Sequence, residues 1–331
     1  MISVVALSKP DPNWNKRLFD SKIGTIFQTK ERGEYDAKNI QPIYLLFKDE
    51  NDVIVAQNLI KVYERFSNNN NKGKLLNKIP TSRKKLYSWV YGPVIFKKDL
   101  SKEIFVALKD FLISEKCAVD GWVNLLFCGN PEILSKNYTV QKWGTFLIDL
   151  TKSKEEVYNK ISKHSGRKNI ERSIKRGITV EEITDSSLRE YHTLINKMKK
   201  NDGRETSKFE NLLERWKIYK PIGYSGFLAK KDDEVLGGLL FSYVNGQILE
   251  AGVARSEIDR KNHYYSQDLI KWKIIEWGIE NNLKYYNLTG FNPNPITEKE
   301  KGILRYKEKW GGQPYYFYRI HEKPGILSKI L

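Results

Sequence analysis

A strand, turn and strand pattern that occurs twice is the feature that most constrains how this chain can fold. The first copy, PIYLLFKDENDVIVAQNLIKV, starts at Pro42, and the second, GYSGFLAKKDDEVLGGLLFSYV, starts at Gly223. In each copy two apolar runs flank a short acidic turn, which is typical of a β-hairpin. A further apolar stretch and then a segment with helical periodicity follow each copy. The sequence therefore predicts an α/β (α+β) protein with two halves, each a mixed, largely antiparallel sheet flanked by helices.

The length of the chain also favours two domains, because single cores rarely grow beyond about 250–300 residues and this chain has 331. The halfway point falls where a predicted strand, Thr145 to Leu150, gives way to a helix. Ser153 and Glu156 form a capping-box pattern at the start of that helix. We therefore predict a first domain over 1–145 and a second over 146–315.

Further helices are predicted in the second half. Ser187 with Glu190, and Ser207 with Glu210, repeat the capping-box spacing. In RSEIDRKNHYYSQDLIKWKIIEWGIENN the apolar residues recur at helical spacing, which predicts one long helix.

Cysteine and histidine are scarce. Cys117 and Cys128 are the two cysteines, and there are four histidines, so the sequence shows neither a disulfide framework nor the spacing of a metal site. Motifs of serine hydrolases, zinc proteases and mononucleotide or dinucleotide sites are absent from the sequence. We therefore expect neither metal nor organic cofactor. The few cysteines and the absence of an 18-residue apolar run predict a cytoplasmic protein.

The charge of the chain is strongly positive. Lysine and arginine number 57 against 40 aspartate and glutamate, a formal net charge of +17. A surface of this kind attracts polyanions such as RNA, phosphorylated ligands or anionic lipid, and so allows peripheral association with a membrane. Lysine, asparagine and isoleucine are all abundant, however, so part of the charge is equally well explained by the base composition of an AT-rich genome.

The predicted order of strand, hairpin, strand, helix and strand in the second half is that of the GNAT acyltransferase core. GNAT acetyltransferases hold the pyrophosphate of coenzyme A on backbone N–H groups of a glycine-containing loop before a helix. In this chain the corresponding stretch runs from Arg255 to Asn262 and contains no glycine. The usual phosphate cradle is therefore missing.

Six stretches of the chain, in order, resemble motifs of the FemABX family of peptidoglycan cross-bridge aminoacyl-tRNA transferases. Together they reach from the first helix almost to the end of the chain. They are TIFQTKE, YGPVIF, TFLIDLTKS, RKNIERSIKRGITV, EWGIENNLKYYNLTGF and GILRYKEKWGG.

The resemblance implies two GNAT-like domains, with a C-terminal segment at about 316–331 that packs back on the first. It implies transfer of an amino acid from aminoacyl-tRNA to an amine of a phosphorylated peptidoglycan or other cell-envelope precursor. The second domain is expected to carry the active site.

The family's Phe-Lys pair corresponds to Tyr306 and Lys307 in the last stretch. The resemblance implies that this lysine stabilises the developing oxyanion and the leaving hydroxyl of the tRNA. Attack of an amine on an ester does build negative charge on oxygen, and a fixed cation stabilises that charge. The alternative is that Lys307 is an ordinary solvated lysine. Gly311 and Gly312 are expected to form a tight turn.

A basic segment resembles the family's anchor for the diphosphate of the acceptor. At helical spacing several of its cations share one face, which suits phosphate binding. A solvated helix face is the alternative. The residues of this basic segment are Arg167, Lys168, Arg172, Lys175 and Arg176.

One position departs from the family. The acid of the family's Y-D-x-x-G strand end is Asn287 in this chain. An amide can accept a hydrogen bond but cannot take up a proton, so the identity of any general base stays open. Glu250 and Asp268 are other carboxylates in the region, but no motif supports them.

Three functions are therefore compatible with the sequence. The first is an aminoacyl-tRNA-dependent transferase of FemABX type, with Lys307, Tyr306 and Asn287 as candidate catalytic residues. The second is a GNAT-like N-acyltransferase that uses an acyl-CoA donor on a sugar or amino acceptor. The third is a basic RNA-binding protein that has lost its catalytic activity, as Asn287 would permit.

Overall fold

The computed structural model describes residues 1–64, 85–127, Gly129 and 131–323. Cys128 and the end of the predicted C-terminal segment lie outside these residues. Two compact units are present: one comprises Met1–Trp143 and the chain from Tyr316 onward, and the other comprises Gly144–Tyr315. Each contains a mixed, largely antiparallel sheet with helices packed on it, which confirms the predicted α/β class.

The first unit contains a sheet whose neighbouring strands follow the order β1, β2, β3, β4, β6 and β13, with β5 paired to β3. Only the β4–β6 pairing is parallel among the pairings described in this unit. The strands are β1 (Ser3–Leu7), β2 (Gln41–Lys48), β3 (Ile54–Glu64), β4 (Lys85–Trp89), β5 (Val94–Ile95), β6 (Ala118–Trp122) and β13 (Gln313–Glu322). The first predicted hairpin is thus β2 and β3, which confirms that prediction.

Three helices of this unit pack against or beside the sheet: α1 (Trp14–Asp20), α2 (Lys30–Asp36) and α3 (Ser101–Ser114). Gln28, in the TIFQTKE stretch, is fully buried between the first two. Its side-chain oxygen accepts from Leu59 N at 2.7 Å and its nitrogen donates to Val90 O at 2.8 Å. This glutamine therefore joins the N-terminal segment to the sheet and has a structural role.

The second unit contains the strand order β7, β12, β11, β10, β9 and β8. Its strands are β7 (Tyr138–Asp149, which crosses the boundary between the units), β8 (Thr179–Glu182), β9 (Tyr224–Lys231), β10 (Glu234–Ser242), β11 (Gln247–Arg255) and β12 (Tyr285–Phe291). The second predicted hairpin is confirmed as β9 and β10. Strands β11 and β12 run parallel to each other, and the other described pairings in this unit are antiparallel.

The helices of the second unit are α4 (Lys154–Lys160), α5 (Lys168–Lys175), α6 (Leu188–Asn201), α7 (Phe209–Tyr219), α8 (Glu257–Lys261), α9 (Ser266–Glu280) and α10 (Glu298–Glu308). Helix α9 contributes Leu269, Ile270, Ile274 and Ile275 to the core of this unit. Because β12 and the inner face of β10 also contribute to that core, α9 is held against the middle of the sheet.

The helices predicted after Ser153, Ser187 and Ser207 are all present as α4, α6 and α7, but only one of the predicted capping boxes is. The Ser153 and Glu156 capping box is present at the start of α4, as predicted. Ser187 does not cap α6 with its side chain, because its hydroxyl accepts from Thr184 N instead. Ser207 lies ahead of α7, which has no side-chain cap.

The predicted single helix after β11 is in fact two helices. Helix α8 ends at Lys261, and α9 begins at Ser266. His263 and Tyr265 have φ of 51° and 59°, in the left-handed region that helices do not use. The break places the start of α9 beside the end of β11, which matters for the site described next.

Candidate functional site

A cavity of about 500 Å³ lies in the second unit. Strands β11 and β12 form one wall, and helices α6, α8, α9 and α10 provide the remainder. Its lining residues are Met198, Glu250, Val253, Arg255, Arg260, Gln267, Lys271, Leu288, Lys299, Gly302, Ile303, Tyr306 and Lys307. The volume falls within the range of about 300–1,000 Å³ that is usual for small-molecule sites.

The cavity exists because two neighbouring strands separate. Strands β11 and β12 are paired only from Gln247 to Leu249 on the β11 side. A bulge follows at once, since Leu240 pairs with Gly252 whereas Phe241 pairs with Glu250. A bulge bends its strand and redirects the side chains that follow. Glu250 therefore stands where the two strands part.

Glu250 forms the polar centre of the cavity wall. Its carboxylate accepts from the ammonium of Lys271 on α9 and from the hydroxyl of Tyr286 on β12, the latter at 2.8 Å. Lys271 is almost fully buried. Burial, reinforced by the charge of Glu250, raises the pKa of Tyr286 well above its ordinary value, so Tyr286 stays a neutral donor.

Lys307 lies near the end of α10 with its ammonium directed at β12. Its Nζ donates to Gly290 O at 2.6 Å and lies 3.4 Å from Thr289 Oγ1. Burial lowers the pKa of Lys307 to about 8; the negative charge of Glu250 opposes this effect and the positive charge of Lys271 adds to it. The alternative of a freely solvated lysine is therefore wrong. At neutral pH Lys307 is a partly desolvated cation at the cavity wall.

The strand end that receives Lys307 is irregular. The pairing of β12 with β7 shifts between Asn287 and Gly290. Between them Thr289 has φ of 62°, a conformation rarely adopted by a residue with a branched side chain. Thr289 N donates to Asn287 Oδ1 at 2.8 Å, and Thr145 Oγ1 donates to the same oxygen at 2.7 Å. The strained turn is thus held by the amide of Asn287.

Asn287 is not among the lining residues of the cavity and is fully buried. Its Nδ2 has no hydrogen-bond partner among the residues that the structure describes. The structure places it behind Lys307, where it shapes the turn that the lysine contacts. Asn287 therefore positions the turn that Lys307 contacts and does not itself reach the cavity.

Tyr306 lines the cavity and is tied to a buried carboxylate. Its hydroxyl donates to Asp268, and burial together with the charges of Asp268 and Glu250 raises its pKa well above the ordinary value. Lys309 Nζ lies 2.6 Å and 2.8 Å from the two oxygens of Asp268. Asn169 Nδ2 donates to the same carboxylate at 2.8 Å. Asp268 thereby joins α5, α9 and α10.

The basic segment forms a turn of π-helix, Lys163–Arg167, followed by α5. Two of its arginines are engaged. Arg172 lies over the ring of Tyr265, with 5.9 Å from the guanidinium to the ring centre. Arg176 donates to Asn262 O at 3.0 Å and also to His263 O. These arginines help to hold the loop between α8 and α9.

The two lysines of the segment are in a different situation. Lys168 and Lys175 are exposed, and neither has an ion pair within the described parts of the chain. Arg167 is partly buried and lies over the ring of Tyr158. Of the five predicted phosphate contacts, the two lysines therefore present the freest charges.

The stretch that corresponds to the GNAT phosphate loop is closed by its own side chains. Asp259 is fully buried. Its carboxylate accepts from Ser266 N at 2.9 Å, which is the first backbone N–H of α9, and pairs with Arg255. The backbone N–H of Asp259 is itself bound by Ser256 Oγ at 3.1 Å. An anion supplied by the chain already occupies this helix N-terminus.

Sequence reasoning found part of this site. Tyr306 and Lys307 both line the cavity, and so does Glu250, which had no motif; Asp268, the other carboxylate without a motif, binds Tyr306 and Lys309 next to the cavity wall. Lys271 and Lys309 were missed. A signal existed for Lys271, because a lysine within the apolar run DLIKWKII is unusual, but the sequence could not show which carboxylate it meets.

No protein-family profile matches this chain, and no curated protein matches it in sequence. Solved structures do match. FemX has a TM-score of 0.71 at 12% identity, with 99% of each chain covered. L-PGS from Bacillus licheniformis has a TM-score of 0.58 at 14% identity, with 98% of this chain and 95% of that chain covered.

A tandem GNAT protein from the clavulanic acid biosynthesis pathway is also similar, with a TM-score of 0.54 at 9% identity and with 97% of this chain and 98% of that chain covered. At these identities the likeness establishes the fold. The chain therefore has a FemX-like tandem GNAT fold, and the resemblance to FemABX proteins is confirmed at the level of fold.

Two searches of the described residues were negative. None of their helices is long and apolar enough to cross a bilayer. No group of three or more His, Cys, Asp or Glu side chains among them is arranged to hold a metal ion.

The buried pair of Glu250 and Lys271 yields a stability prediction. We expect Glu250→Gln to lower the free energy of unfolding by about 3–5 kcal/mol, because it leaves the Lys271 ammonium buried without a counter-charge. The double variant Glu250→Gln/Lys271→Met should recover part of this loss. Urea unfolding of the purified variants measures both effects.

The matched control is Glu298→Gln, which removes an exposed ion pair with Lys301 on α10. It should change the free energy of unfolding by less than about 1 kcal/mol. A double variant as unstable as Glu250→Gln would contradict the assigned pairing.

Proposed function

We propose that this protein is an aminoacyltransferase that moves an amino acid from aminoacyl-tRNA to an amine of a phosphorylated cell-envelope precursor. The observation that carries the proposal is the Lys307 ammonium, held at the wall of a substrate-sized cavity in a FemX-like fold. The activity that the FemABX resemblance implies supports the choice of donor and acceptor.

The chemistry requires a cation where Lys307 lies. An acceptor amine attacks the ester carbonyl, a C–N bond forms, and negative charge develops on the carbonyl oxygen. The C–O bond to the ribose then breaks, and the proton lost by the amine goes to the leaving oxygen. A cation placed beforehand at the oxyanion lowers the barrier without reorganising during the reaction. Lys307 supplies that charge, and the Gly290 carbonyl orients its ammonium.

The donor is better explained as RNA than as coenzyme A. Coenzyme A needs free backbone N–H groups for its pyrophosphate. Here Asp259 has taken the Ser266 N–H, and its negative charge would repel a phosphate placed there. The net charge of +17 and the exposed lysines of α5 favour a polyanionic ligand.

The acceptor is a phosphorylated molecule in this proposal because of the position of α5. Asn169 and Asp268 connect α5 to α9, whose Gln267 and Lys271 line the cavity. Lys168 and Lys175 are therefore on an element tied to the reaction site. A phosphate bound by them would bring the acceptor amine close to the donor ester.

Glu250 and Tyr306 act as supports in this mechanism. Glu250 is paired with Lys271, and Tyr306 is neutral and bound to Asp268. Both keep the cationic side chains of the wall in fixed positions. The third alternative is a catalytically inactive RNA-binding protein. Such a protein would bind aminoacyl-tRNA without removing the amino acid from it.

The first test concerns Lys307. Lys307→Met should reduce turnover of aminoacyl-tRNA by about 10²- to 10³-fold, because it removes the charge at the oxyanion and keeps the side-chain length. Lys301→Met, on the exposed side of α10, is the matched control and should leave turnover nearly unchanged. Single-turnover transfer of a radiolabelled amino acid measures the rate, and equal rates for wild type and Lys307→Met would exclude the assignment.

The pH dependence gives the same lysine a second test. Because the pKa of Lys307 is about 8, the oxyanion cation is present below that pH and is lost as pH rises through it. Lys307→Arg keeps its charge to above about pH 12. The ratio of the wild-type kcat/KM to that of Lys307→Arg should therefore fall above pH 8. A ratio that rises instead would indicate that Lys307 acts as a base.

The closed phosphate loop predicts the response to coenzyme A. Acetyl-CoA at millimolar concentration should leave the melting temperature unchanged, since a ligand at a hundredfold excess over its Kd would add about 2.7 kcal/mol of stability. Differential scanning fluorimetry measures the shift. A clear upward shift, or release of free coenzyme A with an acceptor, would support the acyl-CoA alternative instead.

The exposed lysines of α5 predict a change in salt dependence. Lys168→Gln/Lys175→Gln should weaken binding of the phosphorylated acceptor or tRNA and make the slope of log affinity against log salt shallower by about one to two units. The control is Lys200→Gln/Lys217→Gln, which removes two exposed lysines elsewhere in the unit. Titrations of both ligands across a salt series are required. Identical slopes for wild type and the α5 variant would make α5 a solvated face.

A further inference from the structure

Gly302 occupies an unusual place in the cavity wall. Helix α10 faces the cavity with Lys299, Gly302, Ile303, Tyr306 and Lys307, which recur at the spacing of one helix face. Gly302 lies at one edge of that face, and Lys307 lies at the other edge. Among the residues that the structure describes, a Cβ atom added at Gly302 would meet no heavy atom within 4 Å other than those of its chain neighbours and of the backbone of its own helix.

The ordinary reasons for a glycine are absent at this position. Glycine is unfavourable in a helix interior compared with alanine, so it usually marks a left-handed backbone or a close contact. Gly311 is such a case, with φ of 71° and Lys160 O only 2.4 Å from an added Cβ. Gly302 has neither a positive φ nor a close neighbour. What distinguishes it is the open space that it leaves in the cavity.

The wall beside Gly302 is apolar and uncovered. Val253 on β11 and Ile303 on α10 are 40% and 37% exposed, although both line the cavity. Met198 and Leu288 complete this apolar wall. Apolar surface in a cavity gains free energy when a ligand covers it, in proportion to the area removed from water.

The separation of Gly302 from Lys307 fits a long acyl group. Five residues of α-helix span about 7.5 Å along the axis and turn about 140° around it, so the two positions lie at opposite edges of the face that lines the cavity. A carbonyl placed at Lys307 can therefore extend a long side chain toward Gly302, whereas the substituents of glycine and alanine end well short of it. The charged wall argues against a basic side chain, because Arg260, Lys299 and Lys307 line the same cavity and Glu250, the one acid among its described lining residues, is already paired with Lys271.

We propose that the aminoacyl group transferred by this protein carries a large apolar side chain, which lies over Gly302 against Val253 and Ile303. Gly302 is then the residue that sets the size limit of the donor. The inference rests on the proposed function, because it assumes that the ester carbonyl is placed at Lys307. It selects leucyl, methionyl or phenylalanyl donors over glycyl, alanyl and lysyl donors.

Binding of stable donor analogues tests the selectivity without catalysis. The probes are 3′-aminoacylamino-3′-deoxyadenosines, whose amide bond replaces the reactive ester, carrying leucyl, phenylalanyl, glycyl, alanyl or lysyl groups. Calorimetry should show at least tenfold tighter binding of the leucyl and phenylalanyl compounds than of the other three. Equal affinities, or tighter binding of the glycyl or lysyl compound, would overturn the proposal.

Variants at Gly302 then identify the residue responsible. Gly302→Ala should raise the melting temperature by about 2 °C, since it removes a helix-interior glycine without a clash. Gly302→Val should weaken the leucyl and phenylalanyl compounds at least tenfold and leave the alanyl compound within about threefold. Lys301→Val adds the same side chain on the exposed side of α10 and should keep the wild-type order of affinities. If Gly302→Val also keeps that order, the proposal fails.

The proposed function and this inference can fail separately. Transfer from charged tRNA that is fastest with glycyl or alanyl donors would leave the aminoacyltransferase standing and overturn the choice of a large apolar group. The proposed function would be overturned if no aminoacyl-tRNA served as donor and acetyl-CoA were consumed instead. In that case the affinities of the donor analogues would still show which side chain the cavity prefers.

Discussion

The arrangement of the site depends on the hydrogen bonds and the ion pair that the buried carboxylate of Asp268 makes. A charge removed from water must be compensated by hydrogen bonds or opposite charges, or the fold becomes unstable. Asp268 meets this requirement with Tyr306 in the last turn of α10, with Lys309 directly after that helix, and with Asn169 on α5. These contacts set how α10 lies on α9. Because Lys307 lies between two residues that Asp268 holds, its ammonium is directed to the Gly290 carbonyl.

A second constraint concerns the helix terminus that GNAT enzymes use for phosphate. The loop between β11 and α9 could have remained open, but Asp259 fills it and binds the first N–H of α9. This closure stabilises the start of α9, as expected for an acid at a helix N-terminus. The cavity where a ligand can bind then lies elsewhere, between strands β11 and β12. Glu250 marks the point at which the pairing of these two strands ends. The fold is therefore shared with tandem GNAT proteins, whereas the N-terminus of α9 is bound by Asp259 of the chain itself.

Much of the fold could be predicted because it follows from local patterns. Alternating apolar runs with acidic turns indicated both hairpins, and the Ser153 and Glu156 spacing indicated the start of α4. The helices predicted after Ser187 and Ser207 are present, but the predicted caps are not: the Ser187 hydroxyl accepts from Thr184 N, and α7 begins one residue further along the chain, after Lys208. The prediction of one long helix was wrong. The apolar face that predicted it, Ile270, Ile274 and Trp277, belongs to α9 alone, because the left-handed backbone angles of His263 and Tyr265 end the helical path before α9.

The sequence by itself determined the two mixed α/β halves, the cationic character of the chain and the lack of a glycine phosphate loop, and it made Lys307 a candidate site residue. These features depend on residue type and on spacing along the chain. Both can be read from the sequence without knowing which distant residues are in contact. Only the tertiary structure decided that Lys271 pairs with Glu250, that Asn287 lies behind the cavity and that Gly302 opens it. Each of these facts depends on residues that are far apart in the chain and that the separation of β11 from β12 brings together, and no local pattern encodes that separation.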